Sequence, residues 1–303
     1  MRLSSQHRHT VWDSSIEPVL RVAPGDTIEI EVANASGGQL GRGSTAADLL
    51  TLDFSRVNPV TGPIAVDTAE PGDSLLIEVL DIAVRDWGWT ANIPGFGLLA
   101  EQFPDPHLRF STVAGGFVDF LDGIELAALP MIGTIGLAPP GGQALPMVPP
   151  HRQGGNMDIR QVTAGSRLRL PVAVTGGLLS LGDTHAAMGD GEVCGTGIEI
   201  SSTVTVRLDV VKGRPIPAAV LETDGRAARP GPALIATGIG PDIWQAARDA
   251  TSSLIDQLVH RAGLAPVDAY LLASVSADMH VAEIVDLPNV VVAMHFPLDA
   301  LGN

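Results

Sequence analysis

The chain has 303 residues, 45% of them hydrophobic and 17% charged, with 34 glycines and 23 prolines. That length and apolar content can bury a sizeable core, and the wealth of turn residues favours many short strands over long helices. The formal net charge of −16 repels phosphates and anionic lipid, so neither a nucleic-acid nor a membrane partner is expected. Cys194 is the only cysteine, which rules out an intrachain disulfide and a Cys-rich zinc site. The N-terminal residues form no apolar leader, and no uninterrupted apolar stretch has membrane-spanning length, so a cytoplasmic location is expected. Lys212 is the only lysine. It sits in Val-Lys-Gly-Arg-Pro, which reads as an exposed turn, so a buried catalytic lysine has no candidate.

Residues 16–34 alternate as strands do. Ile28, Ile30 and Val32 point one way, and Thr27, Glu29 and Glu31 the other, after a Pro24-Gly25-Asp26 turn. Residues 64–84 repeat that logic around Pro71-Gly72-Asp73. Residues 85–110 gather Trp87, Trp89, Phe96, Phe103 and Phe110, which reads as a packed loop or as a pocket wall. Residues 138–157 form a long segment rich in proline and glycine, of the kind that is functional or disordered inside a compact protein. Strand patterns resume at 167–174 and 203–211, the latter with Val204, Val206, Leu208 and Val210 on one face. Asp242 can cap, and Gly263 can stop, a helix whose apolar positions run from Ile243 to Leu258. A shorter helix is expected from Pro266, and strands near 279–285 and 289–296. The expected fold is mainly β, with sandwich- or barrel-like strands and a smaller C-terminal α+β part. The expected divisions are a β-rich part over 1–137, a site loop over 138–160, and a second β-rich part over 161–303 that carries the α+β element.

The densest polar segment is Leu181-Gly-Asp-Thr-His-Ala-Ala-Met-Gly-Asp-Gly-Glu192. Asp183 and His185 leave the same face of an extended chain. The Gly189-Asp190-Gly191 turn can return Glu192 toward them. Gathering such acids without a cation or bound proton is costly, yet a solvated glycine-rich loop has the same composition. Asn156 and Asp158 close the 138–157 segment. Asp158 could add an oxygen ligand and the Asn156 amide could hold a carbonyl oxygen, although an Asn/Asp turn explains both. His7 and His9 read as solvated, and His280 and His295 as satisfied within strand patterns. No G-x-S-x-G elbow, H-E-x-x-H motif or phosphate-binding loop is present. A Glu-Lys-Cys or Ser-Ser-Lys amidase would need a lysine other than Lys212, so Cys194 reads as a small packed residue.

The segment Gly182-Asp-Thr-His-Ala-Ala-Met-Gly-Asp-Gly-Glu192, together with Gly155-Asn-Met-Asp158, resembles the acetamidase/formamidase family. So do Trp12-Asp-Ser-Ser15, Ala35-Ser-Gly-Gly-Gln39, Pro59-Val-Thr-Gly-Pro63, Ala69-Glu-Pro-Gly-Asp73 and Pro94-Gly-Phe-Gly-Leu-Leu99. The resemblance runs over nearly the whole chain. It implies hydrolysis of a short aliphatic amide to carboxylate and ammonia, a β-rich fold, a divalent metal (zinc before calcium) and a homo-oligomer. In the mechanism that fits these residues, Asp183, His185 and Asp158 hold the metal. Glu192 moves protons, and Asn156 or backbone N–H groups of the glycine-rich loops steady the oxyanion. Trp89, Phe96 and Glu70 belong to the substrate pocket, with Glu70 and Glu101 in reserve for acid–base work. Two other readings accompany this one. One is an amidohydrolase acting on a larger, cyclic or urea-like compound. The other is a non-catalytic β protein that holds calcium, against which the histidine argues.

Overall fold

Alternation of apolar and polar residues sets the strands that carry the molecule. In β1 (Thr27–Val32) Ile28, Ile30 and Val32 are buried while Thr27 and Glu29 are exposed. In chain order β2 (Val60–Val66), β3 (Ser74–Asn92), β4 (His107–Ala114), β5 (Met131–Leu137), β6 (Gly154–Asn156) and β7 (Arg167–Pro171) follow. Next come β8 (Leu179–His185), β9 (Glu199–Val211), β10 (Val220–Thr223) and β11 (Ala233–Gly240). Helices α1 (Ile243–Ala262) and α2 (Pro266–Ser276) precede β12 (Asp278–Glu283) and β13 (Val290–Pro297). This computed structural model describes residues 1–142, 144–224 and 231–301. Gln143, inside the expected site loop, lies outside the described residues.

Pairing runs across the whole chain. β9 lies antiparallel to both β1 and β3, and β8 to β2, β5 and the start of β9. β3 also pairs β7, which continues through β10, β11 and β13 to β12. Strands from both sides of the 138–160 segment are thus hydrogen-bonded neighbours. One core, including Ile28, Ile64, Leu75, Ile77, Ile135, Leu168, Leu179 and Val206, fills the space between the strands. A second forms where α1 and α2 cover β11 and β13, burying Ala246, Ala250, Leu254, Leu258 and Phe296. The helix boundaries follow local chemistry. The Asp242 side chain accepts from Gln245 N at 2.8 Å, and Gly263 closes α1 at φ 64°. No described helix is long and apolar enough to cross a membrane.

One sequence expectation is corrected. The aromatic stretch after residue 84 is not a loop at its start: β3 runs on to Asn92, and Trp89 is buried on it. Strand pairing to β9 and β4 satisfies its backbone, which a turn-rich composition had obscured. Lys212 lies in an exposed turn, as the sequence predicts, and is anchored there. Its Nζ donates to Asp73 Oδ2 at 2.6 Å and to Thr68 O at 2.8 Å, tying the turn after β9 to the Pro71-Gly72-Asp73 turn. Asp73 is buried and also accepts from Gly213 N and Glu70 N. Changing Asp73 to Ala strands those donors and should lower the unfolding free energy by about 2 kcal/mol, read from urea melts.

Candidate functional site

Strand register brings the first residues of the site together. Met131 of β5, His185 of β8, Glu199 of β9 and Trp89 of β3 occupy one row of paired positions. Side chains opposite one another in register share a face, so His185, Glu199 and Trp89 meet without any loop being needed. His185 Nε2 lies 3.1 Å from Glu199 Oε1 and 3.3 Å from Asp183 Oδ1. Glu192, carried back by the loop after β8, places Oε1 3.8 Å from the same nitrogen. Asp158 follows β6, where Met157 N and Asp158 N both donate to Gly133 O, and its Oδ1 stands 3.9 Å from His185 Nδ1. His185 and all these carboxylates are buried.

The close approach depends on two missing side chains. A Cβ on Gly133 would lie 2.4 Å from Asp158 Oδ1 and 2.9 Å from Asp183 Oδ2. On Gly197 it would lie 2.8 Å from His185 Cγ. The backbone is also held in a costly region. Asn58, Asp158, Asp183 and Glu192 have φ of 45°, 47°, 49° and 40°. Among the described residues only Thr68 and Leu178 join them as non-glycines with positive φ. Such strain is paid by the surrounding fold and collects where side chains must be aimed. Asp183 is therefore not plainly extended, as the sequence suggested.

A second layer holds the first. Thr134 Oγ1 donates to Asn156 Oδ1 and, at 3.2 Å, to Asp183 Oδ2. Asn156 Nδ2 donates to Asp286 Oδ2. Asn58 Nδ2 reaches Asp183 Oδ2 at 3.3 Å and Asn156 Oδ1 at 3.4 Å. Glu283 Oε1 accepts from the backbone N–H groups of Val285 and Asp286, fixing the turn that presents Asp286.

The structure thus gathers Asp158, Asp183, His185, Glu192 and Asn156, and lines a cavity of ≈ 50 Å³ with Trp89 and Phe96. Glu70 stands apart. It is exposed, accepts from Thr175 Oγ1 at 2.7 Å, and does not line the cavity, because its turn is tied to Lys212 and not to β8. Glu101 is exposed on the loop before β4. His9 bonds Ser180 Oγ and Val11 O, while His280 bonds Asp190 and stacks on His295. His7 is exposed, and none of these histidines lines the cavity. Cys194 Sγ turns toward Thr196. Glu199 and Asp286 were missed. The legible signal for Glu199 was an acid between Ile198 and Ile200 in a strand, where a buried carboxylate needs a reason.

Electrostatics sets what this arrangement can hold. Burial pulls His185 down, but the Glu199 and Asp183 charges overcome it and hold the imidazole well above its ordinary value. Burial pushes Asp183 up, but the His185 charge and hydrogen bonds outweigh it and keep that acid ionised. Burial, then Asp183, pushes Asp158 well up, and burial, then Asp158, does the same to Glu192. Burial, then Asp158 and Glu283, raises Asp286. Burial moves Glu199 and Glu283 up to about 7. Both oxygens of Asp158, Glu199 Oε2 and His185 Nδ1 have no hydrogen-bond partner among the described residues. Asp158–His185–Glu192 and Asp183–His185–Glu199 each place ligand atoms within 4.8 Å of one another. Unsatisfied, buried, converging carboxylate oxygens around one imidazole fit a divalent cation.

The sign of the pH effect follows. Glu199 and Glu283 ionise near pH 7 in the folded chain and near 4.5 when unfolded. Between those values the folded state holds more protons, so stability must fall as pH rises. The cost is on the order of 3 kcal/mol for each group above pH 7. In the presence of a chelator the melting temperature should therefore fall between about pH 4.5 and 7. Added divalent cation should restore it most at the upper end, as scanning calorimetry would show. A flat profile would contradict this electrostatic account.

Sequence and fold comparisons converge on one family. The acetamidase/formamidase family model matches residues 1–143 and 140–302. The acetamidase of Mycolicibacterium smegmatis is 31% identical over 277 residues, covering 70% of this chain and 68% of that one. The formamidase of Methylophilus methylotrophus is 30% identical over 261 residues, covering 67% of this chain, and the match spans only 64% of that protein's own length. The crystal structure of an acetamidase from Bacillus halodurans superposes with a TM-score of 0.92 at 35% identity, covering 100% of both chains. A gamma lactamase from Delftia acidovorans gives 0.70 at 26% identity, covering 97% of this chain and 89% of that one. This chain belongs to the acetamidase/formamidase family.

Proposed function

We propose that the protein hydrolyses short aliphatic amides to a carboxylate and ammonia at the buried acid–imidazole site. The observation that carries this reading is that Asp183, Glu192 and Glu199 of that site line a small cavity together with Leu52, Val57, Trp89 and Phe96. By the same measure a water needs roughly 10–15 Å³. The ≈ 50 Å³ cavity therefore has room for a few water-sized groups, which suits a small substrate.

Asp158, Asp183, His185 and Glu199 would hold the cation, and the imidazole among oxygen ligands selects zinc over calcium. When bound, it would acidify a water and polarise the amide carbonyl. It would also take the place of protons that burial otherwise fixes on the carboxylates. Glu192, on the cavity side, accepts the proton of the attacking water and returns it to the leaving nitrogen as the C–N bond breaks. Burial, then the Asp158 charge, raises its proton affinity above that of an ordinary carboxylate. Asn156 has its Oδ1 and one Nδ2 hydrogen engaged, so its remaining N–H is what it offers to the oxyanion. The alkyl end of the substrate rests on the Trp89 ring, whose Nε1–H is spent on Asn34 Oδ1 at 3.3 Å.

The Delftia likeness favours a second reading, opening of a cyclic amide. The relatives named formamidase and acetamidase favour the linear amide. A single free cysteine suits a reducing compartment such as the cytoplasm. Exposed Trp244, Tyr270, Leu271 and Val275 are consistent with a homo-oligomer. The test is ammonia release from formamide and acetamide beside opening of a γ-lactam, with and without chelator. Linear amides should turn over, the lactam should lag, and chelator should stop the reaction. Glu192→Gln should retain metal and lose at least about 100-fold in kcat. Full activity in that variant removes Glu192 from the mechanism, and release from no short amide overturns the assignment.

A further inference from the structure

A second cavity shares no residue with the acid–imidazole site and has the opposite charge. It is a groove of ≈ 420 Å³ between β7, β10 and the last turns of α1. Leu168 and Leu170 of β7 enter the core, so the alternate residues Arg167 and Arg169 face the groove. Arg214, from the turn after β9, and Arg261, from the end of α1, complete a set of guanidiniums with His260 beside them. Among the described residues Glu222 is the only acid on the lining.

The pairing leaves positive charge over. Arg261 spends itself on Glu222 at 2.8 Å. Arg167 bonds Glu78 at 3.1 Å, but Glu78 is shared with Arg207. Arg169 has only the neutral Gln257 amide, and Arg214 makes no ion pair among the described residues. Burial, opposed by Glu222, and then the charges of Arg214, Arg261 and Arg167 depress Arg169 below the usual guanidinium range. Basic residues at a helix C-terminus can answer the helix dipole, which accounts for His260 and Arg261. Arg167, Arg169 and Arg214 are on no helix. In a chain of net charge −16, four guanidiniums crowded together with only Glu222 and a shared Glu78 among the described residues to answer them need another explanation.

We propose that this groove binds a diphosphate group, carried by free pyrophosphate or by a nucleoside diphosphate. Guanidinium forks engage phosphate oxygens in pairs, and a multiply charged anion neutralises several at once, as a lone carboxylate does not. The overall acidity does not forbid it. At physiological salt, charges more than about 8 Å away are largely screened, so the local cluster decides. The net-charge argument against phosphate partners therefore fails at this one place.

The test is calorimetric titration of the full chain with inorganic pyrophosphate, ADP, adenosine, and sodium chloride at matched ionic strength. Saturable binding of one pyrophosphate or ADP per chain is expected, with none for adenosine. Tighter ADP assigns the nucleotide, and equal or tighter pyrophosphate assigns the free anion. Arg214→Gln breaks no ion pair, and it should weaken binding at least tenfold while leaving amide hydrolysis unchanged; Arg169→Gln should weaken it similarly. Binding should persist in His185→Ala, which separates it from chelation of a cation at the other site. Equal heat from chloride, undiminished affinity in Arg214→Gln, or loss of binding in His185→Ala would overturn the proposal. So would a change in oligomer mass in Arg214→Gln without a change in affinity, which would make the groove a contact between copies.

Discussion

The burial of Asp158, Asp183, Glu192 and Glu199 around a single imidazole is the constraint on which the rest of the site turns. Among the described residues His185 is the one basic group with a leading effect on Asp158 and Glu192, and it is already shared with Asp183 and Glu199. Such a group has two ways to exist away from water. It can hold protons, which makes the fold weaker as pH rises, or it can hold a cation, which turns the repulsion into affinity. The orphaned oxygens of Asp158 favour the second, because a protonated pair would be expected to bond within itself.

The sheet supplies the precision. His185 and Glu199 are cross-strand partners, so their approach is as rigid as the ladder itself. Asp158 and Asp183 come from less regular backbone, and there the structure spends strain and omits side chains at Gly133 and Gly197. Thr134, Asn58 and Asn156 then fix the carboxylates by hydrogen bonds that a solvated loop would not provide. Chemistry placed on strands and braced from behind holds its geometry better than chemistry on loops.

Much of this was legible in the sequence, for identifiable reasons. The 27–32 and 203–211 alternations became buried faces because period two survives in half-buried strands. Asp242 and Gly263 bound the long helix because caps are local chemistry. The Asp183–His185–Glu192 and Asn156–Asp158 segments stood out because polar residues were dense there. Glu199 did not, since its role comes from pairing across strands and the sequence shows it as one acid among isoleucines. Asp286 looked like an ordinary turn residue, and only the return of the chain after β12 brings it under Asn156. Glu70 misled because a motif match carries no position. Its turn is fastened to Lys212, on another part of the sheet. The basic groove was invisible because its arginines are scattered along an acidic chain.

Two poles of charge thus sit in one molecule, an acidic centre at the end of β8 and a basic groove beside β7. Elemental analysis of the purified chain addresses the first most directly. About one divalent ion per chain is predicted, falling to near zero in His185→Ala. A chain that carries no metal after purification in chelator-free buffer, yet hydrolyses amides at full rate, would contradict the account.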